Sequence, residues 1–448
     1  MPSHPAVSLG SRIRRHLTPN RFASVLAVGG GFFRVGVLFL FTVVWTRSLS
    51  PAAFGRFSEI FAYANLASIV LAIGIGIAAR KLIPTNSSAA EAPLLSAFIR
   101  LVRMHRLALT ALTLVCLAVY FLNFRSTNGW ARVAAVSAIG APLAIATISS
   151  EAARAFGLQV RSVLLDRVIQ PMLLFLAALA TALLARSPGL STAITATVIA
   201  SAVGGLFGWA VLTRAEKSAV APPPDWSRWR EWAELLVAGL FASLVAIGFT
   251  RIDLLLIARL APAESVGLYA VAQRFGEIIS LPQFVLSAFV GPLIARRISL
   301  GEIAGVQRVI VLSIFVSSAF ALVFLLLLAP VGPFLLGIFG AKYVAALPLV
   351  WILCLGQTVV AFTGAAGMLL MMSGGHRIFL AVVFTGLLTK AVMVLVGWWL
   401  YGLTGAAIGA AASIAALALA HAYFGERHTG CRFGPRAMLA FARGNRLT

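Results

Sequence analysis

The chain alternates between long apolar runs and short polar, mostly basic connections. Apolar runs of roughly 18–25 residues are long enough to cross a hydrocarbon core about 30 Å thick as an α-helix. About twelve such runs are legible, at 24–46, 59–79, 107–124, 131–150, 168–186, 192–213, 233–258, 267–295, 306–329, 343–372, 378–400 and 403–424. Pro348 and several glycines interrupt the tenth of them. Only helices and closed barrels satisfy their own backbone groups in lipid, and runs this long and continuous predict helices. The expected fold is an all-α membrane protein with about twelve transmembrane helices.

The longest central polar break is 214–232, with Pro222, Pro223 and Pro224 followed by Trp226, Trp229 and Trp232. It divides a basic N-terminus (1–23) and six spans (24–213) from six further spans (233–424) and a basic tail (425–448). The halves echo each other. Arg47 precedes Gly55-Arg56-Phe57-Ser58 by the same spacing that separates Arg259 from Gly267-Leu268-Tyr269-Ala270. At the first turn of each six-span half, this points to an internal repeat. An even number of spans per half makes the repeat parallel rather than inverted.

Composition excludes the soluble classes. Of 448 residues, 60% are hydrophobic and 11% charged, against about 45–50% and about 25% in soluble domains. The mean hydropathy is +0.98, which also excludes disorder. The net charge of +23 would suggest nucleic acid in a soluble protein. Here Lys and Arg are clustered between spans, so no nucleic-acid partner is expected. Alternate connections carry most of them: the N-terminus, Arg80 to Arg106, Arg154 to Arg167, Arg214 to Arg230, Arg296 to Arg308, Arg377 and the tail. The opposite connections hold far fewer, among them Arg47, Arg56, Arg259 and Lys342. By the positive-inside rule both termini are expected in the cytoplasm. Cys116, Cys354 and Cys431 are far apart and give no disulfide framework or zinc pattern. With no phosphate loop, zinc-ligand helix or serine elbow, neither an enzyme nor a cofactor or metal is expected.

Several segments carry a resemblance. They are Arg47-Ser-Leu-Ser-Pro-Ala-Ala-Phe-Gly-Arg-Phe-Ser58, the glycine-rich Gly74 to Arg80, Arg251-Ile-Asp253, Gly267 to Arg274, Pro292-Leu-Ile-Ala295, Phe339 to Tyr343 and Gly402 to Ile408. In order and spacing the chain resembles the Wzx-type flippases, in the polysaccharide transport branch of the multidrug/oligosaccharidyl-lipid/polysaccharide (MOP) exporter superfamily. The resemblance implies two pseudo-symmetric six-helix lobes in a V, the MATE-like shape, with the first, second, seventh and eighth helices lining a cleft. It also implies transfer of a polyprenyl-diphosphate-linked oligosaccharide across a bacterial inner membrane for O-antigen, exopolysaccharide or capsule synthesis. Membrane lipids, a polysaccharide polymerase and glycosyltransferases are the implied partners.

Such a substrate sets a physical problem. Each unpaired hydroxyl in hydrocarbon costs roughly 2–7 kcal/mol, and the diphosphate is anionic. The protein must offer a polar cleft with cationic contacts, and ionisable residues inside spans are the natural candidates. Arg34 lies thirteen residues before Arg47, about 20 Å from the outer end at 1.5 Å per residue. Arg251 and Arg274 fall at matched depth on adjacent antiparallel spans. Arg34, Arg251 and Arg274 are therefore the expected substrate contacts. Glu277, three residues after Arg274, shares its helix face. Asp253 is turned about 200° from Arg251 and is expected to pair with an arginine of another helix; a proton-coupling role is the other option. Lys390 is central in the eleventh span and is expected to snorkel or pair helices. Pro282 and Pro292 are expected to kink the eighth span, as simple curvature or as a hinge. Gly204/Gly208 and Gly405/Gly409 are expected to let helices approach closely. The alternative function is a MATE-like small-molecule efflux antiporter. That activity on cationic drugs calls for acids in the cleft, and the first half has none well inside a span.

Overall fold

The computed structural model describes residues 19–76, 78–79, 92–122, 129–218, 227, 229–434 and 437. The N-terminal arginines at 12–15, Arg80, Lys81, the proline run 222–224 and the end of the basic tail lie outside the described residues.

Nearly every described residue is helical. The first half consists of α1 (Pro19–Ser48), α2 (Pro51–Ala72), α3 (Ala92–Leu122), α4 (Gly129–Ala155), α5 (Gln159–Leu184) and α6 (Leu190–Ser218). The second consists of α7 (Trp229–Leu260), α8 (Ala263–Ile279), α9 (Leu281–Ser299), α10 (Ile303–Phe339), α11 (Leu347–Thr363), α12 (Ala366–Met372) and α13 (His376–Thr429). Among the described residues, nine helices are long and apolar enough to cross a membrane. One of them, α13, has 54 residues and if straight would reach about 80 Å. It folds back at Tyr401 and Gly402, where Gly402 has φ 58°. The two arms, 376–400 and 403–429, then lie backbone to backbone. A Cβ on Gly405 would overlap the carbonyl of Gly397, and one on Gly409 that of Met393. The second arm, α2 and the broken pair α8–α9 complete twelve crossings.

The helices pack in the same pattern twice. In the first half α1 lies on α5, α2 and α3 on α4, and α6 on both α4 and α5. In the second, α7 lies on the first arm of α13, α8 and α10 on α11, and the second arm on α11 and on its own partner arm. The halves meet through α2 against α7 and α8, and through α1 against α9. The crossing of α2 and α8 is reciprocal. A Cβ on Gly55 would overlap the carbonyl of Ala263, and a Cβ on Gly267 would come within 2.9 Å of the carbonyl oxygen of Pro51. Positions 51 and 55 correspond to 263 and 267 in the repeat, so each glycine meets the counterpart of its partner's contact. That reciprocity is the signature of a two-fold interface. The two repeated glycines form one of the points at which the halves touch.

Sequence also explains how these helices begin and end. Ser50 accepts a hydrogen bond from the amide of Ala53 and Pro51 occupies the first turn, so α2 starts where its orphan donors are satisfied. It stops at Ile73 and Gly74, both with positive φ (46° and 65°). Gly74 lies so close to the carbonyl of Leu236 on α7 that no side chain fits. The equivalent helix of the second half is also interrupted, after Ile279.

Three expectations are corrected. Arg100, Arg103 and Arg106 are not in a connection but on α3, which starts at Ala92 rather than near 107. Arg106 is fully buried, with its guanidinium carbon 4.1 Å from the ring centroid of Trp209; an aromatic face takes the place of water around the cation. Similarly, Arg161 and Arg167 belong to α5, whose start precedes the expected 168. Pro282 does not kink a continuous helix: α8 ends at Ile279 and Pro282 lies in the first turn of α9, where its missing N–H costs nothing. Pro292 lies within α9, which continues through it.

The glycine crossing yields a stability test. Gly55→Leu drives a side chain into backbone and should cost more than the usual overpacking loss of about 1–3 kcal/mol. Gly36→Ala meets nothing within 4 Å and should gain about 0.5–1 kcal/mol from helix propensity. Thermal unfolding of the two purified variants beside the parent checks both directions.

Candidate functional site

Charged side chains inside the membrane gather where the halves face each other. Arg34 projects from α1 towards α5, where its Nη1 is 3.5 Å from Asp166 Oδ1. Asp166 and Arg167 sit on a single π-helical turn, Leu164–Ile169, near the start of α5. Such turns occur often at functional sites, because one extra residue per turn re-aims the side chains. Arg167 packs against Gly30 and Gly31 of α1, with its guanidinium carbon 5.0 Å from the ring centroid of Phe284 on α9. The second half contributes Arg251 from α7 and Arg274 from α8. Glu277 bridges them: Oε2 accepts from Arg274 Nη1 at 2.7 Å, and Oε1 lies 3.6 Å from Arg251 Nη1. Arg34 is near enough to act electrostatically on both Arg251 and Glu277. The structure thus brings together Arg34, Arg251, Arg274 and Glu277, with the expected i,i+3 pair formed. It adds Asp166 and Arg167, which the sequence reading missed as site residues.

Asp253 and Lys390 form a separate unit. Lys390 Nζ lies 3.0 Å from Asp253 Oδ2 and donates to the carbonyl of Phe249 at 2.7 Å. The same carboxylate oxygen accepts from Tyr269 Oη at 2.7 Å and from Gln273 Nε2 at 3.0 Å. Both charged side chains are only 2% exposed. The expected arginine partner is replaced by Lys390, because the face of α7 opposite Arg251 is covered by the first arm of α13. Lys390 pairs helices rather than snorkelling. This unit edges a chamber of about 370 Å³ inside the second half, lined also by Arg251, Glu277, Gln357 and His421.

One end of the seam is sealed. Phe39 packs on Phe275 and Phe339, Phe54 on Tyr343, and Phe41, Trp45, Phe57 and Phe61 form a continuous aromatic cluster. Arg47 donates to the carbonyls of Ile338 and Gly337 at 2.7 and 2.8 Å, capping the end of α10 across the seam. A small pocket under this seal is lined by Phe41, Phe57, Phe61, Arg251, Gln273 and Arg274. Among the described residues, no group of three or more His, Cys, Asp or Glu is placed to hold a metal ion.

Solved structures share this fold of twelve crossings and a repeated packing pattern. A multidrug resistance MATE family transporter of the MOP superfamily in an inward-facing conformation superposes with a TM-score of 0.71 at 13% identity, covering 91% of this chain and 98% of its own. The lipid II flippase MurJ, inward closed, gives 0.64 at 11% identity over 94% and 91%. A MOP superfamily transporter from Pyrococcus furiosus gives 0.63 at 15% over 95% and 99%. No curated protein matches the sequence. The model of the polysaccharide biosynthesis protein family matches residues 23–297, and the chain belongs to that family. The resemblance read from the sequence is borne out in both family and fold.

The buried pair predicts a double-mutant outcome. Lys390→Met strands a carboxylate and should cost about 3–5 kcal/mol. Adding Asp253→Asn removes the charge while keeping an acceptor for Tyr269, and should recover at least half of the loss. Unfolding midpoints of the single and double variants test the coupling.

Proposed function

We propose that this protein is a flippase that moves a polyprenyl-diphosphate-linked oligosaccharide across a bacterial inner membrane during polysaccharide synthesis. The observation that carries the reading is the convergence of Arg34, Arg251 and Arg274 from both halves on one intramembrane seam. Membership of the polysaccharide biosynthesis family supports the substrate class. An arginine at the centre of a membrane helix costs at least roughly 2.5–3.5 kcal/mol on insertion scales. A diphosphate repays that cost through charge-assisted, bidentate hydrogen bonds that suit the guanidinium fork.

The path follows from charge and closure. Positive-inside bias places the Arg154–Arg167 end in the cytoplasm and the Arg47 seal at the periplasm. Arg154, Arg167 and Arg34 then form a cationic approach from the cytoplasm to Arg251 and Arg274. The sugars follow the wet seam and the lipid tail stays in the bilayer. The chain itself carries out no chemistry, and polymerase and glycosyltransferases act before and after it. Efflux of cationic drugs, the other function hosted by this fold, is less well served. The acids at the seam, Asp166 and Glu277, are already engaged by arginines.

Glycan export in a strain lacking its own copy tests the reading. Arg34→Ala and Arg251→Ala should each export little at unchanged protein level, while Arg34→Lys keeps part of the activity. Full export by a well-expressed Arg34→Ala, Arg251→Ala double variant would sink the proposal. Reporter fusions at residues 220 and 445 should behave as cytoplasmic; periplasmic activity at either overturns the orientation.

A further inference from the structure

We propose that Asp166 and Glu277 are built-in stand-ins for the phosphates. They neutralise the site arginines when the seam is empty and surrender them when the diphosphate binds, so that they set how tightly it is held. The inference rests on the diphosphate reading above and concerns the carboxylates rather than the arginines.

Placement is the first argument. One carboxylate comes from each half, Asp166 to Arg34 in the first and Glu277 to Arg251 and Arg274 in the second. Neither reaches across the seam. The short-range ion pairs of the empty site therefore lie within each half. A ligand with two phosphates, one replacing each carboxylate, ties the halves together.

Looseness is the second. The contacts of Arg34 with Asp166 and of Arg251 with Glu277 are 3.5 and 3.6 Å, well beyond the roughly 2.7–2.9 Å of a well-made charge-assisted hydrogen bond. Asp166 and Glu277 are 38% and 37% exposed, whereas Asp253 and Lys390 are 2% exposed. The Arg34–Asp166 and Arg251–Glu277 pairs are open to exchange, Arg274 holds Glu277 more firmly at 2.7 Å, and the buried pair is closed. Charge is the third. Four guanidiniums, those of Arg34, Arg167, Arg251 and Arg274, against two carboxylates leave the empty seam cationic, which attracts an anion, but with half of the charge compensated, which keeps the anion releasable.

The test uses the full-length protein in neutral-lipid nanodiscs titrated with undecaprenyl diphosphate, and with undecaprenol as the uncharged control. Glu277→Gln removes the competing charge at constant shape, and should bind the diphosphate roughly tenfold more tightly while exporting glycan more slowly in cells. Asp166→Asn should shift in the same direction. Glu277→Asp keeps the charge and should stay near the parent. If the parent binds and Arg34→Ala does not, yet Glu277→Gln and Asp166→Asn bind no more tightly than the parent, the carboxylates are structural; the inference falls and the flippase reading stands. Failure of both amide variants to accumulate as folded protein has the same meaning. If the parent binds undecaprenyl diphosphate no better than undecaprenol, the diphosphate reading itself falls, and this inference with it.

Discussion

A guanidinium in hydrocarbon has to be met by an anion, by an aromatic face or by water, and the arrangement of this protein follows from how each buried arginine is met. Arg106 uses the face of Trp209, and Arg167 lies against Phe284. Arg34, Arg251 and Arg274 use carboxylates. The cost of an unmatched charge scales with its distance from the interface, so the deepest cations need the best-placed partners. The π turn of α5 adds one residue to a turn and carries Asp166, which faces Arg34 of α1.

The second organising feature is close approach without side chains. The halves touch where Gly55 and Gly267 leave room for each other's backbone, and where Gly74 admits the backbone of α7. Lipid supplies no hydrophobic drive for helix association, so close packing has to supply it. The aromatic seal lies beside this contact. Phe54 packs on Tyr343, and Phe39 on Phe275, alongside the crossing of α2 and α8 at glycines. The seal and the charged seam both lie between the halves. One gives an apolar closure at one end; the other gives charge beyond it.

Much of this was legible in the sequence. Twelve apolar runs gave the fold class, and the shared spacing of Arg47/Gly55 and Arg259/Gly267 pointed to the pair of glycines that meet. The i,i+3 relation of Arg274 and Glu277 gave their ion pair. What escaped was pairing between distant helices. Asp166 and Arg167 looked like the edge of a basic connection, because hydropathy does not show that α5 begins at Gln159. The pairing of Asp253 with Lys390 was equally hidden: helical periodicity says which face Asp253 occupies but not which helix covers that face. Arg106 was read as solvated because a lone sequence does not reveal that Trp209 lies opposite. In each case local spacing was a sound guide within one helix and was silent about its neighbour.

The charges of the molecule therefore separate into two kinds by burial and bond length rather than by residue type. Asp253 and Lys390 are sealed, are held by Tyr269, Gln273 and the carbonyl of Phe249, and fix α7 to the first arm of α13. Charges held in this way are expensive to separate, so they give the second half one conformation. Arg34 and Arg251 are part-exposed and lie 3.5 and 3.6 Å from their carboxylates, while Arg274 anchors Glu277 at 2.7 Å. Arg251 and Asp253 are two positions apart on the same helix, so α7 carries a part-exposed pair and a buried one, and both border the chamber of the second half. If the seam exchanges its carboxylates for phosphates as proposed, the fixed pair would hold α7 to the first arm of α13 while Arg251 changes partners.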